Sequence, residues 1–249
     1  MDNQNDLEGL LRSKDALEQL VTRHFKGQKV KKKLPKQLEN EFWHFNIDRT
    51  RSNAIQFFGQ GVITYSIYVL LILPTNYHII RDSEHFAMDF AFSILSLYLV
   101  GMALFLFWVF ARFRVWRAHF YKASCTIMFF TIVSVSLLLL SVSNLVLQNQ
   151  AMLFIAFLYM LGFVLSGIKP FHMLWVGGVA ALTVIISLYA LNIPCDLLIL
   201  ARMFIGSMLL GFSMSVMLNT KERKFFIKST ISEIDEKILR LQASELLHL

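Results

Sequence analysis

Charge is what this sequence has least of. Only 16% of its 249 residues are Asp, Glu, Lys or Arg, whereas 56% are hydrophobic and Phe alone occurs 23 times. Soluble domains carry about 25% charged and about 45–50% apolar residues, so a water-soluble globular fold is excluded. Its long apolar runs would have no face to turn to water. Proline is nearly as scarce, with four residues, which leaves long stretches free to stay helical. Cysteine is limited to Cys125 and Cys195, so no disulfide framework and no Cys/His zinc spacing exists. The spans assigned below put these two near opposite faces of a bilayer, roughly 30 Å apart, too far to bond within one chain. Also missing are a GxxxxGK[ST] loop, a GxSxG elbow, a GxGxxG turn and an HExxH helix. No catalytic, cofactor-binding or metal-ligating residue is assigned. The polar first 50 residues lack the apolar core of a cleavable signal peptide.

What is present is a set of long apolar stretches. A spanning helix needs about 20 mostly apolar residues, and six stretches qualify: Ala54–Leu73, Ala87–Phe110, Ala123–Val142, Ala151–Ile168, Phe171–Leu191 and Leu197–Leu218. The runs are too long, and alternate too little, for barrel strands. Pro170 follows Lys169 between the fourth and fifth, where a missing N–H ends a helix. The expected fold is an all-α polytopic membrane protein, a six-helix transmembrane bundle with helical extensions at both ends. Three parts are expected: residues 1–53, an amphipathic helix and a basic juxtamembrane segment; 54–218, the transmembrane domain; and 219–249, a charged helix.

Orientation follows from where Lys and Arg lie. Of the 24, all but Arg81 and Arg202 fall on one side of the six spans, in the N-terminal segment, the second-to-third loop, Lys169 and the C-terminal tail. Both termini are thus expected to be cytoplasmic. The net charge of +7 is then a property of a membrane face, not of a nucleic-acid-binding surface. Asp6 to Phe25 places Leu7, Leu10, Leu11, Leu17, Leu20 and Val21 on one helical face. Lys26 to Lys36 is basic and broken by Pro35, and suits anionic lipid at about 1 kcal/mol per basic residue. Phe42, Trp43 and Phe45 have the character of interfacial anchors.

Ionisable residues within spans are costly and so are functional candidates. Asp89 lies near the outer end of the second span and Arg202 near the outer end of the sixth. Opposite sign and similar depth make an ion pair or a small ligand pocket the sharper expectation. Independent snorkelling to the headgroups is the plainer one. Ser207, Gly211 and Ser215 form a small-residue stripe on the sixth span, suited to close helix packing or to self-association. The histidines His78, His85, His119 and His172 sit near span ends, not inside facing spans as bis-histidine haem ligation would require.

Beyond the sixth span the apolar positions Ile227, Ile231, Ile234, Ile238 and Leu241 are spaced four, three, four and three apart. That is an a/d seam over two heptads, flanked by Glu233–Lys237 and Glu236–Arg240 in the favoured i,i+4 order. A short dimeric coil is expected, with a helix lying on the bilayer as its competitor.

The order of these parts resembles the N-terminal membrane region of bacterial diguanylate cyclases of the GGDEF type. The likeness rests on a basic lead, the aromatic-then-basic run Phe42 to Arg51, six spans, and a charged helix ending Leu241-Gln-Ala-Ser-Glu-Leu-Leu-His-Leu249. The resemblance implies a bacterial inner-membrane sensor, a homodimer whose last helix leads to a cytoplasmic output, with an external ligand of unknown identity. No GGDEF-like signature occurs in this chain, so no family catalytic residue carries over and the expected output lies elsewhere or is missing. A transporter or channel subunit, and an oligomerising membrane effector or scaffold, are the alternatives.

Overall fold

A computed structural model describes residues 9–19 and 36–247 of the chain. Among these residues the fold is entirely helical, without strands. Residues 9–19 form α1. It is followed by α2 (Lys36–Gln56), α3 (Phe58–Ile80), α4 (Phe86–Arg112), a 3₁₀ turn (Arg114–His119), α5 (Phe120–Leu140), α6 (Leu145–Leu165), α7 (Pro170–Ala190) and α8 (Leu197–Leu247). Six of these segments are long and apolar enough to cross a membrane, and the chain is an all-α polytopic membrane protein. Their outward side chains are apolar: Leu70, Leu71, Ile63, Leu182, Ile186 and Leu209 are all exposed. So many exposed large apolar side chains suit hydrocarbon better than water.

The span ends differ from hydropathy at two places, for local reasons. The first span starts after a break at Phe57 and runs through Pro74 to Ile80, while Ala54 belongs to α2. The polar pair after Pro74 stays helical because both side chains find partners. Thr75 Oγ1 donates to the Leu71 carbonyl at 3.0 Å, and Asn76 Nδ2 donates to Ser93 Oγ at 2.6 Å. The fourth span starts at Leu145, earlier than the expected Ala151. There Asn144 caps the helix by accepting from Val146 N and Leu147 N. Gln148 is buried and donates to the carbonyls of Leu140 and Pro194. Polarity that argues against a span is thereby absorbed inside it.

The chain divides into two compact units: residues Ile47–Val216, and residues Met1–Asn46 together with Met217–Leu249. In the larger unit α5 packs against α4, α6 and α7. The main core joins Ile132 and Leu140 of α5, Tyr159 and Phe163 of α6, Met173 and Val184 of α7, and Leu200 and Phe204 of α8. Cys125 and Cys195 are free thiols packed at its margin. The turn between α6 and α7 needs Gly167, whose φ of +65° is disfavoured for a residue with a Cβ, and against which Thr50 packs.

The smaller unit brings the two flanking segments of the chain together. Leu17 of α1, Phe42 and Trp43 of α2, and Phe226 and Ile227 of α8 form one buried cluster, with Leu38, Phe45, Ile231 and Ile234 against it. The expected amphipathic helix of residues 6–25 is described only over 9–19. The basic segment from Lys26 lies outside the described residues up to Lys36.

Candidate functional site

Asp89 occupies the first turn of α4, where the unpaired N–H groups of the helix favour a negative charge. Its side chain is fully buried. A buried carboxylate needs donors, and three are aimed at it. Ser143 gives its backbone N–H to Oδ1 at 2.9 Å and its hydroxyl to Oδ2 at 2.7 Å. Ser83 Oγ donates to Oδ2 at 3.0 Å. Ser83 precedes α4 and Ser143 precedes α6, so one carboxylate ties together two connections distant in sequence. Asn144 adds a third tie, donating from Nδ2 to the Ile79 carbonyl at 3.3 Å.

Over this knot lies an open cleft of about 360 Å³, lined by Ile79, Asp82, Ser83, Glu84, His85, Ser143 and Asn144. Its rim is acidic and rich in hydrogen-bonding groups, chemistry that suits a small cation or a polar molecule bearing donors. Among the described residues no group of three or more His, Cys, Asp or Glu is placed to hold a metal ion.

The expected partnership of Asp89 with Arg202 is not formed. Asp89 is closed off by the two serines, whereas Arg202 is exposed on the outer side of α8 and has no hydrogen bond or ion pair to any described residue. Similar depth in two helices does not put them on facing sides, and helix rotation decided the matter. Nothing in the spacing marked Ser83 or Ser143 as the real partners. The signal available was the run Ser141-Val142-Ser143-Asn144, whose final Asn reads as a helix N-cap and so locates a connection at the same end of the bundle as Asp89.

The small-residue stripe of α8 faces inward. Ser207 and Ser215 are buried, Ser207 Oγ donates to the Met203 carbonyl at 2.6 Å, and Gly211 lies directly against the Phe163 ring of α6.

In the smaller unit, the α8 seam expected to meet a second copy meets the chain's own N-terminal helices. Ile227 is fully buried, Ile238 is buried, and Ile231 and Ile234 pack on the Leu17–Phe42–Trp43 cluster. Leu241, the last seam position, is half-buried. Polar contacts fasten the arrangement. Glu39 Oε1 accepts from Trp43 Nε1 at 2.9 Å and from an Arg223 terminal nitrogen at 2.6 Å. The Arg223 guanidinium lies 5.0 Å from the centre of the Phe42 ring and 5.8 Å from that of Trp43, within cation–π range. Lys14 Nζ meets Asp235 Oδ1 at 2.7 Å, and this contact pushes the Lys14 amine above its ordinary range. None of Glu39, Arg223, Lys14 or Asp235 stands out in the sequence, because their partners lie far along the chain.

Comparison with family models, with curated proteins and with solved structures finds no match to this chain.

Proposed function

We propose that this chain is a membrane-embedded input module, which senses a condition at or within its span bundle and passes it along α8 to a cytoplasmic output. Support for this reading comes above all from α8 itself. It is one unbroken helix of 51 residues, and it contributes residues to both compact units. A span uses only about 20 residues, so roughly half of the helix serves something other than crossing the bilayer. A continuous rod shared by two packed units is a physical means by which a change in one biases the other.

The switch element in this reading is the α8 seam. In its closed state Ile227, Ile231 and Ile234 are covered by α1 and α2; in its open state they meet the same residues of a second copy. Moving such an equilibrium from nearly all closed to nearly all open takes about 5.5 kcal/mol of differential binding. The arrangement parallels the resemblance to the sensor half of diguanylate cyclases. In this reading the protein belongs to a bacterial inner membrane, and the asymmetry of Lys and Arg supports putting both ends on the cytoplasmic side. The input site in this reading is the cleft above Asp89.

The experiment is hydrogen exchange over residues 227–241 of the full chain in lipid nanodiscs, comparing the wild type with Asp89→Asn. A relay requires that disturbing the Asp89 knot change protection of the seam, because coupling is a free energy shared between the two places. Seam protection that is identical in the two proteins, while the bundle itself responds to the substitution, would overturn the relay.

A further inference from the structure

The connection between α4 and α5 is the most exposed cationic stretch of the larger unit. Residues 112–119 read Arg-Phe-Arg-Val-Trp-Arg-Ala-His, and every one of them is exposed. Val115 is 84% exposed, and Phe113 and Trp116 are about half so. Three contacts brace this connection and its approach. Arg51 Nε donates to the Ala111 carbonyl at 2.8 Å, closing the end of α4. Arg117 forms a two-pronged pair with Asp48, at 3.2 and 2.8 Å. The Trp116 ring stands edge-on to Phe110 at 5.0 Å.

This bracing occupies Arg117 and leaves Arg112 and Arg114 without a partner among the described residues. The segment joins two consecutive helices that each cross the membrane, so it lies at the bilayer surface. About two turns back along α4, Leu104, Phe105 and Leu106 are exposed, as side chains facing acyl chains would be. Two guanidiniums without a partner among the described residues, beside exposed Val115 and Trp116 at the end of a lipid-facing span, match a molecule with an anionic phosphate above and hydrocarbon below. From this we infer that residues 112–116 form a binding site for an anionic phospholipid, with Arg112 and Arg114 on its phosphate and Val115 and Trp116 among its upper acyl carbons. Guanidinium suits this task because it presents several donors to phosphate oxygens at once.

The test is the composition of lipid that stays with the full chain. The protein is reconstituted in vesicles of phosphatidylcholine mixed with phosphatidylglycerol, extracted, and its retained lipids counted by native mass spectrometry. The wild type should hold phosphatidylglycerol above its share of the vesicle. Arg112→Gln and Arg114→Gln should each lower that enrichment by about fivefold. Val115→Ser with Trp116→Ser should lower it too, with the charge unchanged. Retention in the vesicle's own ratio, or enrichment that survives removal of both arginines, would overturn the site. Displacement of the lipid by inorganic phosphate alone would also overturn it, since the site would then read phosphate and not a lipid.

Discussion

Ser143 gives both its backbone N–H and its hydroxyl to Asp89, a residue 54 positions earlier in the chain, at 2.9 and 2.7 Å. A hydrogen bond to a charged group contributes about 1.5–3 kcal/mol, and a buried donor left without an acceptor costs about 1–3 kcal/mol. Ser143→Ala removes one donor and should destabilise the protein by about 1.5–3 kcal/mol. Asp89→Ala should cost more, because it removes the acceptor of three hydrogen bonds at once. Arg202→Gln, at an exposed position without a polar partner among the described residues, should stay within about 0.5 kcal/mol. Denaturant unfolding in mixed micelles measures all three. An Arg202→Gln effect equal to that of Asp89→Ala would restore the ion pair in place of the serine knot.

Two glycines of α8 should respond to alanine with opposite signs. A Cβ on Gly211 would stand 2.6 Å from Cδ2 of Phe163, whereas one on Gly206 meets nothing within 4 Å. Alanine gains about 0.8–1.0 kcal/mol over glycine in helix propensity. At Gly206 that gain is unopposed, so Gly206→Ala should stabilise. At Gly211 the added methyl drives into a ring that is itself buried in the main core, and overpacking costs about 1–3 kcal/mol. Gly211→Ala should therefore destabilise, and Phe163→Leu in the same chain should recover part of the loss. The thermal midpoints of the four proteins decide it.

These two sites also mark what the sequence could and could not tell. The six spans and the helical class follow from run length and hydropathy alone, because a bilayer imposes one solution on the backbone. The stripe of Ser207, Gly211 and Ser215 was legible as a packing surface, since small residues repeat at one period on one helix. Asp89 was legible as a candidate because a carboxylate within an apolar run is rare. Its partners were not legible. They depend on how α4 is rotated and on where two loops of unrelated sequence come to rest, and neither leaves a local pattern. The seam of Ile227 to Leu241 was legible as a surface needing cover. Whether the cover is a second copy or the chain's own Leu17, Phe42 and Trp43 is a matter of tertiary structure that heptad spacing does not encode.

The contact between Lys14 and Asp235 makes the smaller unit sensitive to strong alkali. The Asp235 carboxylate holds the Lys14 proton, so the amine titrates above its usual 10.5 in the folded chain. A raised amine contributes its stabilisation in full at pH below the unfolded value, and loses it as pH rises through the folded one. Hydrogen exchange of residues 9–19 should therefore be independent of this pair near neutrality. It should then quicken above about pH 10.5 beyond the intrinsic base catalysis of exchange. Asp235→Asn should shrink that added alkaline step, leaving only the smaller share from Glu18 and Asp15. An equal step in the variant would assign it to another group.

The α8 seam has two candidate covers, the chain's own N-terminal helices and a second copy. Phe42 is fully buried beside Ile227 and Phe226, its ring edge-on to that of Phe226 at 5.9 Å. Truncating a buried Phe to Ala costs about 3–5 kcal/mol, enough to open a small unit whose only described core is this one cluster. If the cover is internal, Phe42→Ala bares the isoleucines and self-association should rise, because two bared seams can bury each other. Single-molecule photobleaching of the labelled full chain in vesicles reads the fraction of dimers directly. Adding Ile227→Asp to Phe42→Ala should return the protein to the single-copy state, since a charge at the centre of the seam cannot be buried against its own copy. A dimer fraction that Phe42→Ala leaves unchanged and Ile227→Asp alone abolishes would mean that the seam is paired between copies from the start, and that α1 and α2 do not control it.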